Sequence, residues 1–101
     1  MPKVVWSSTV KAKDCRSADL TALLLKVAQV YRDSGAASAR VLNSNAGPTA
    51  PSIVVLVEYT GMGQMEEVDA KVMANKWIQE ALSDPNIPGT AISQALAQEV
   101  E

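Results

Sequence analysis

Alternation and helical spacing divide the chain into six segments. In KVVWSSTVKA, residues 3–12, Val4, Trp6, Ser8 and Val10 share one side and Val5, Ser7, Thr9 and Lys11 the other. That alternation, with its β-branched content, predicts a first strand. Leu20, Leu23, Leu24, Val27, Val30 and Tyr31 then recur at three and four, which predicts a helix over 18–34 with one buried stripe. Ser17 is the expected N-cap, Asp19 suits the positive end of the helix dipole, and Gly35 is the expected C-terminal stop. ASARVLNS, 37–44, predicts a second strand, and NAGPTAP, 45–51, a loop rich in turn residues. A third strand is predicted over 52–60. A second helix follows over 63–83, with Met65, Val68, Val72 and Met73 as its stripe and Trp77 and Ala81 extending it. Glu67 and Lys71 are spaced as a favourable ion pair on it, and Asp84-Pro85 ends it. AISQALAQEV, 91–100, alternates once more and predicts a last strand, although alanine and glutamine are poor strand formers.

The order β-α-β-β-α-β, with short connections and right-handed crossovers, predicts an α+β fold. It is a ferredoxin-like, four-stranded antiparallel sheet with both helices on one face. The third strand adds a second expectation. Ile53, Val55, Val57 and Tyr59 point one way, but Val54 and Leu56 point the other, so the strand is apolar on both faces. One face is covered by the helices. The other predicts a homodimer in which two sheets meet face to face, since two-fold dimers are the commonest oligomers.

At 101 residues the expectation is a single domain spanning 1–101. Nine basic and eleven acidic residues give a net charge of −2, without the basic cluster a nucleic-acid surface requires. No apolar run reaches membrane-spanning length, and residues 1–20 lack the pattern of a secretory leader. With one cysteine, Cys15, the expectation is a soluble cytoplasmic protein without an internal disulfide. The chain has no histidine, which excludes Ser-His-Asp and Cys-His catalysis and leaves no ligand set for structural zinc. No metal and no cofactor are expected.

The run ADLTALLLKVAQVYRDSGAASARV passes from helix through a small-residue turn into a strand. IVVLVEYTGMGQMEEV ends a strand in Glu-Tyr before a helix, and ALSDPNIPG carries an Asp-Pro helix terminator. In these stretches the chain resembles the dimeric α+β barrel superfamily, which groups antibiotic-biosynthesis-monooxygenase-like and NIPSNAP-like proteins. The resemblance covers nearly the whole chain and is one of pattern rather than signature. It implies two sheets packed as a barrel with helices outside, and a cleft between each sheet and its own helices for a small aromatic or otherwise apolar ligand. Members of that superfamily include cofactor-independent oxygenases, isomerases, decarboxylases, haem enzymes and many proteins of unknown role, so the resemblance constrains activity little.

The candidate ligand-binding residues are Trp6, Arg40, Asn43, Tyr59, Met73 and Trp77. The aromatics and Met73 suit a cleft for a planar ligand, though ordinary core packing explains them as well. Arg40 could hold a carboxylate or phenolate, but its expected place beside Glu58 on the sheet suits a structural ion pair better. Asn43 could bond a ligand oxygen or simply serve a turn. Gly61-x-Gly63 stands where a phosphate loop would, but Glu66 and Glu67 repel phosphate, which leaves the glycines the task of turning the chain. Cys15 has basic neighbours but no base or second thiol to make it a nucleophile. The expected function is a non-catalytic dimeric module that binds a small apolar ligand or serves as a subunit. The alternative is a cofactor-independent monooxygenase, isomerase or decarboxylase acting on an aromatic or polyketide-like compound, with Arg40 or Asn43 polarising an oxygen.

Overall fold

Strands β1 (Val4–Ala12), β2 (Ser38–Ser44), β3 (Ser52–Tyr59) and β4 (Gly89–Gln98) form one antiparallel sheet in the order β2-β3-β1-β4. This is the arrangement of the computed structural model, which describes residues 3–48 and 50–100. Thr49, in the loop predicted over 45–51, and residues 1, 2 and 101 lie outside that description. Helices α1 (Ser17–Asp33), α2 (Met62–Ala74) and α3 (Lys76–Ser83) pack on one face of the sheet. The ferredoxin-like α+β fold expected from the pattern is the fold observed.

The register explains which side chains meet the helices. Val4 pairs with Tyr59, Trp6 with Val57, Ser8 with Val55 and Val10 with Ile53. These residues face α1 and the α2–α3 pair, and Val4, Val57 and Tyr59 are buried to 1% exposure or less. α1 supplies Leu20, Leu24, Ala28 and Tyr31 to that core, and Val68, Val72 and Ile78 come from the other two helices.

α1 begins at Ser17, the residue expected to cap it, one residue earlier than predicted. Arg16, not Ser17, occupies the N-cap position and makes no side-chain cap. Ser17 is already helical, with its carbonyl accepting from the Thr21 hydroxyl at 2.8 Å. The other end is as expected. Gly35 has φ +110°, its N–H bonds the Arg32 carbonyl at 3.1 Å, and the Ala36 N–H bonds the Tyr31 carbonyl at 3.1 Å. This is a Schellman closure, which needs the left-handed backbone that glycine adopts freely.

The predicted second helix is two helices. The backbone of Asn75 is extended, with φ −70° and ψ 121°, and its side chain caps α3 by accepting from the Ile78 N–H at 3.0 Å. A capping asparagine inside an otherwise continuous apolar stripe is the physical reason for the break. The expected Glu67–Lys71 pair is not among the ion pairs of the described residues, which are Arg16–Asp19 and Arg40–Glu58. Gly61 does turn the chain into α2, with Gln64 reaching back to accept from the Thr60 N–H.

β4 starts at Gly89 rather than at residue 91, and its alternation is broken. A bulge opposite Thr9 and Val10 shifts the register, so that Val10 pairs with Ala91 and Thr9 with Ser93. Ile92 is thereby displaced from the face it shares in the sequence pattern with Gln94 and Leu96. Gly89 allows the strand to begin hard against α1: a Cβ there would lie 2.8 Å from the Leu20 side chain and from the Lys11 carbonyl.

Candidate functional site

Between the sheet and the helices lies a cavity of about 420 Å³. Its floor is Trp6, Ser8, Val10 and Val55, on the helix-facing side of β1 and β3. α1 contributes Leu20, Leu23, Leu24, Val27 and Tyr31 as one wall. The opposite wall comes from Asp69, Val72 and Met73 of α2 with Ile78, Ala81 and Leu82 of α3. Gly89, Ala91 and Gln94 of β4 close the side. The wall is mostly aliphatic because it is built from the apolar stripes of the three helices. The volume falls in the range of small-molecule sites. A smaller annex of about 270 Å³ shares Leu23, Ala81 and Ile87 with it and runs past Trp77, Glu80 and Asp84.

The lining carries four polar side chains, Ser8, Tyr31, Asp69 and Gln94, of which Asp69 alone is charged. Tyr31 stacks on Trp6 with ring centroids 5.9 Å apart and an interplanar angle of 29°. Beside them Asp69 projects from α2, and its Oδ1 accepts a hydrogen bond of 2.8 Å from the Tyr59 hydroxyl. Tyr59 itself is 1% exposed and lies behind the carboxylate, outside the cavity wall. Both phenols resist ionisation. Burial first, then the charge of Asp69, pushes Tyr31 up to about 12. Tyr59 is raised further by burial, by its bond to Asp69 and by the same negative charge. At neutral pH both are hydroxyls that can donate.

The six residues singled out from the sequence divide accordingly. Trp6 and Met73 line the cavity, and Tyr59 supports it from behind through Asp69. Trp77 borders the annex, where the Lys26 ammonium sits 4.8 Å from its ring centroid. Asn43 shares the helix-facing register with Ile53 but is exposed and stands outside the cavity. Arg40 points to the opposite face of the sheet, where its Nη2 meets Glu58 Oε1 at 3.3 Å. The diagonal ion pair expected there is present.

Asp69 was not among the sequence candidates, yet a signal for it existed. It falls on the apolar stripe of Met65, Val68, Val72 and Met73, and a charged side chain on a buried stripe is uncommon unless partnered. Tyr31 carried a similar signal as the polar-tipped end of the α1 stripe. Ser8 and Gln94 carried none.

No family model matches the sequence, and no curated protein matches it. Solved structures do match in fold. SnoaB, a cofactor-independent oxygenase from Streptomyces nogalater, superposes with a TM-score of 0.73 at 10% identity, over 100% of this chain and 96% of its own. A candidate antibiotic biosynthesis monooxygenase from Chloroflexus aurantiacus gives 0.68 at 14% identity, over 98% and 94%. Rv0793 from Mycobacterium tuberculosis gives 0.65 at 13% identity, over 98% and 94%. The chain has the ferredoxin-like α+β fold of these three structures.

Proposed function

We propose that this chain, as a single domain, forms a homodimer through the helix-free face of its sheet and binds a small planar apolar molecule between the sheet and its helices. The observation that carries the reading is the cavity of about 420 Å³, walled mostly by aliphatic side chains and the Trp6–Tyr31 stack, with few polar groups. The dimer rests on Val5, Leu42, Val54 and Leu56, which leave an apolar strip half-exposed or exposed on the opposite face. Cys15, an exposed free thiol, suits a reducing cytoplasmic setting, and no helix among the described residues is long and apolar enough to cross a membrane.

The test is a thermal-shift screen against phenols, naphthols, quinones and short acyl compounds. A ligand that binds the native state raises the midpoint with concentration, by mass action. Response to aromatic compounds and none to short acyl compounds is the expected result. Indifference to the whole panel overturns the binding reading.

A second reading is favoured by one observation, a carboxylate facing a mostly apolar cavity. The chain then acts without a cofactor on the aromatic ligand it binds, an activity of the kind SnoaB carries on the same fold. Arg40 and Asn43 have no part in that chemistry, since neither reaches the cavity. Oxygen uptake by the purified protein with electron-rich phenols, abolished in Asp69→Asn, is the expected result under this reading. Binding without uptake or any change in the compound leaves the non-catalytic module.

A further inference from the structure

We propose that Asp69 selects the ligand: its free carboxylate oxygen accepts a hydrogen bond from a ligand hydroxyl, so that the cavity takes neutral phenols and enols and rejects carboxylates and other anions. The inference rests on the binding reading above and goes further by naming the class of compound and the residue that chooses it.

Three observations converge on it. A carboxylate offers about four lone-pair sites, and Asp69 uses one, on Oδ1, for the Tyr59 hydroxyl. Among the described residues no side chain donates to Oδ2. Asp69 nevertheless lines the cavity, where an apolar ligand without a donor would strip water from that oxygen and leave it unpaired. The second observation is the sign of the charge. No lysine or arginine lines the cavity, so an anionic ligand meets Asp69 without compensation. The third is the annex, where Glu80 and Asp84 add negative charge while the nearby Lys26 ammonium is engaged over the Trp77 ring. Tyr31 and Tyr59, the other titratable groups here, stay protonated at neutral pH because burial and Asp69 raise both. They add no charge to the balance.

The experiment compares 2-naphthol, 2-naphthoate and 2-methylnaphthalene by equilibrium dialysis at neutral pH. The three share one ring system and differ only in the group presented to the carboxylate. The wild-type protein is expected to bind the naphthol best, the methyl compound less tightly and the naphthoate least. A charge-assisted hydrogen bond is stronger than a neutral one by an amount equal to roughly five- to tenfold in affinity, which sets the expected loss of naphthol binding in Asp69→Asn. In the same variant naphthoate binding should rise, a readout that loosened packing does not produce. The amide oxygen introduced by Asp69→Asn can still accept from Tyr59, so the fold is expected to hold. Tyr59→Phe should keep the naphthol-over-naphthoate preference because it leaves the charge in place. Equal binding of naphthol and naphthoate by the wild type, or an unchanged ratio in Asp69→Asn, overturns the assignment of Asp69 while leaving the cavity reading intact. Failure of all three compounds overturns both.

Discussion

The two faces of the sheet both carry apolar side chains on β3 and meet different fates. Ile53, Val55 and Val57 face the helices and are 6%, 2% and 0% exposed. Val54 and Leu56, one residue away along the same strand, are only half-buried, and Leu42 beside them on β2 is 45% exposed. The chain has helices enough for one face only. What differs is the chemistry each face can support. The covered face borders a cavity and raises the pKa of two phenols. The open face holds an ion pair in contact with solvent and an apolar strip that the chain's own helices leave uncovered.

The strongest way to break this contrast is to put a charge on each face in turn. Val57→Asp places an unpartnered carboxylate between Trp6 and Ala39, at a cost of at least about 4 kcal/mol. Set against a total stability of roughly 5–15 kcal/mol for an ordinary domain, loss of the cooperative melting transition in circular dichroism is expected. Leu56→Asp, on the other face, should keep the helical signal while light scattering reports monomers. Unchanged dimers would show that the interface lies elsewhere.

The buried side also holds a hydrogen bond whose removal is measurable. Tyr59→Phe deletes the donor to Asp69, and bonds to charged groups contribute about 1.5–3 kcal/mol. A drop of that size in urea-derived stability is expected, with the fold retained. Alkaline titration sharpens the same point. Tyr31 is raised to about 12 in the folded chain, against 10.0 for the free side chain. Above pH 10 the unfolded chain therefore loses its phenol protons first and the native state binds more, so stability falls as pH rises. That contribution is complete below pH 10 and is gone once pH passes the folded value. Tyrosinate absorbance should appear together with unfolding rather than ahead of it. The smallest effect belongs to the open face. The Arg40 and Glu58 side chains are 57% and 28% exposed, so Arg40→Ala should cost no more than about 1 kcal/mol.

The elements of the fold were legible because each one has its own period. Alternation on β1 and β3, three-and-four spacing on α1, Gly35 as a C-terminal stop and Asp84-Pro85 as a terminator all act within a few residues, and all are where the sequence implies. The Arg40–Glu58 pair was legible for a related reason: a hairpin register converts sequence distance into contact directly. Where local signals compete, the reading is less secure. Asn75 serves as well in the middle of a helix pattern as at a cap, and only its extended backbone and its bond from the Ile78 N–H show that it caps. The bulge in β4 is set by pairing with β1, so the alternation of Ile92, Gln94 and Leu96 concealed it.

The site divides in the same way. Sequence alone determined the supply of chemistry: four aromatics, no histidine, and a carboxylate on an apolar stripe. It also determined that one strand is apolar on both faces. Tertiary structure decided which groups meet. It sent Arg40 to the face without a cavity, left Asn43 in solvent, and brought Trp6, Tyr31, Asp69 and Tyr59 together from four different elements. A one-residue step along a strand reverses the face a side chain sees, and a contact between α2 and β3 depends on the angle at which a helix crosses a sheet. Periodicity states the first of these quantities and is silent on the second.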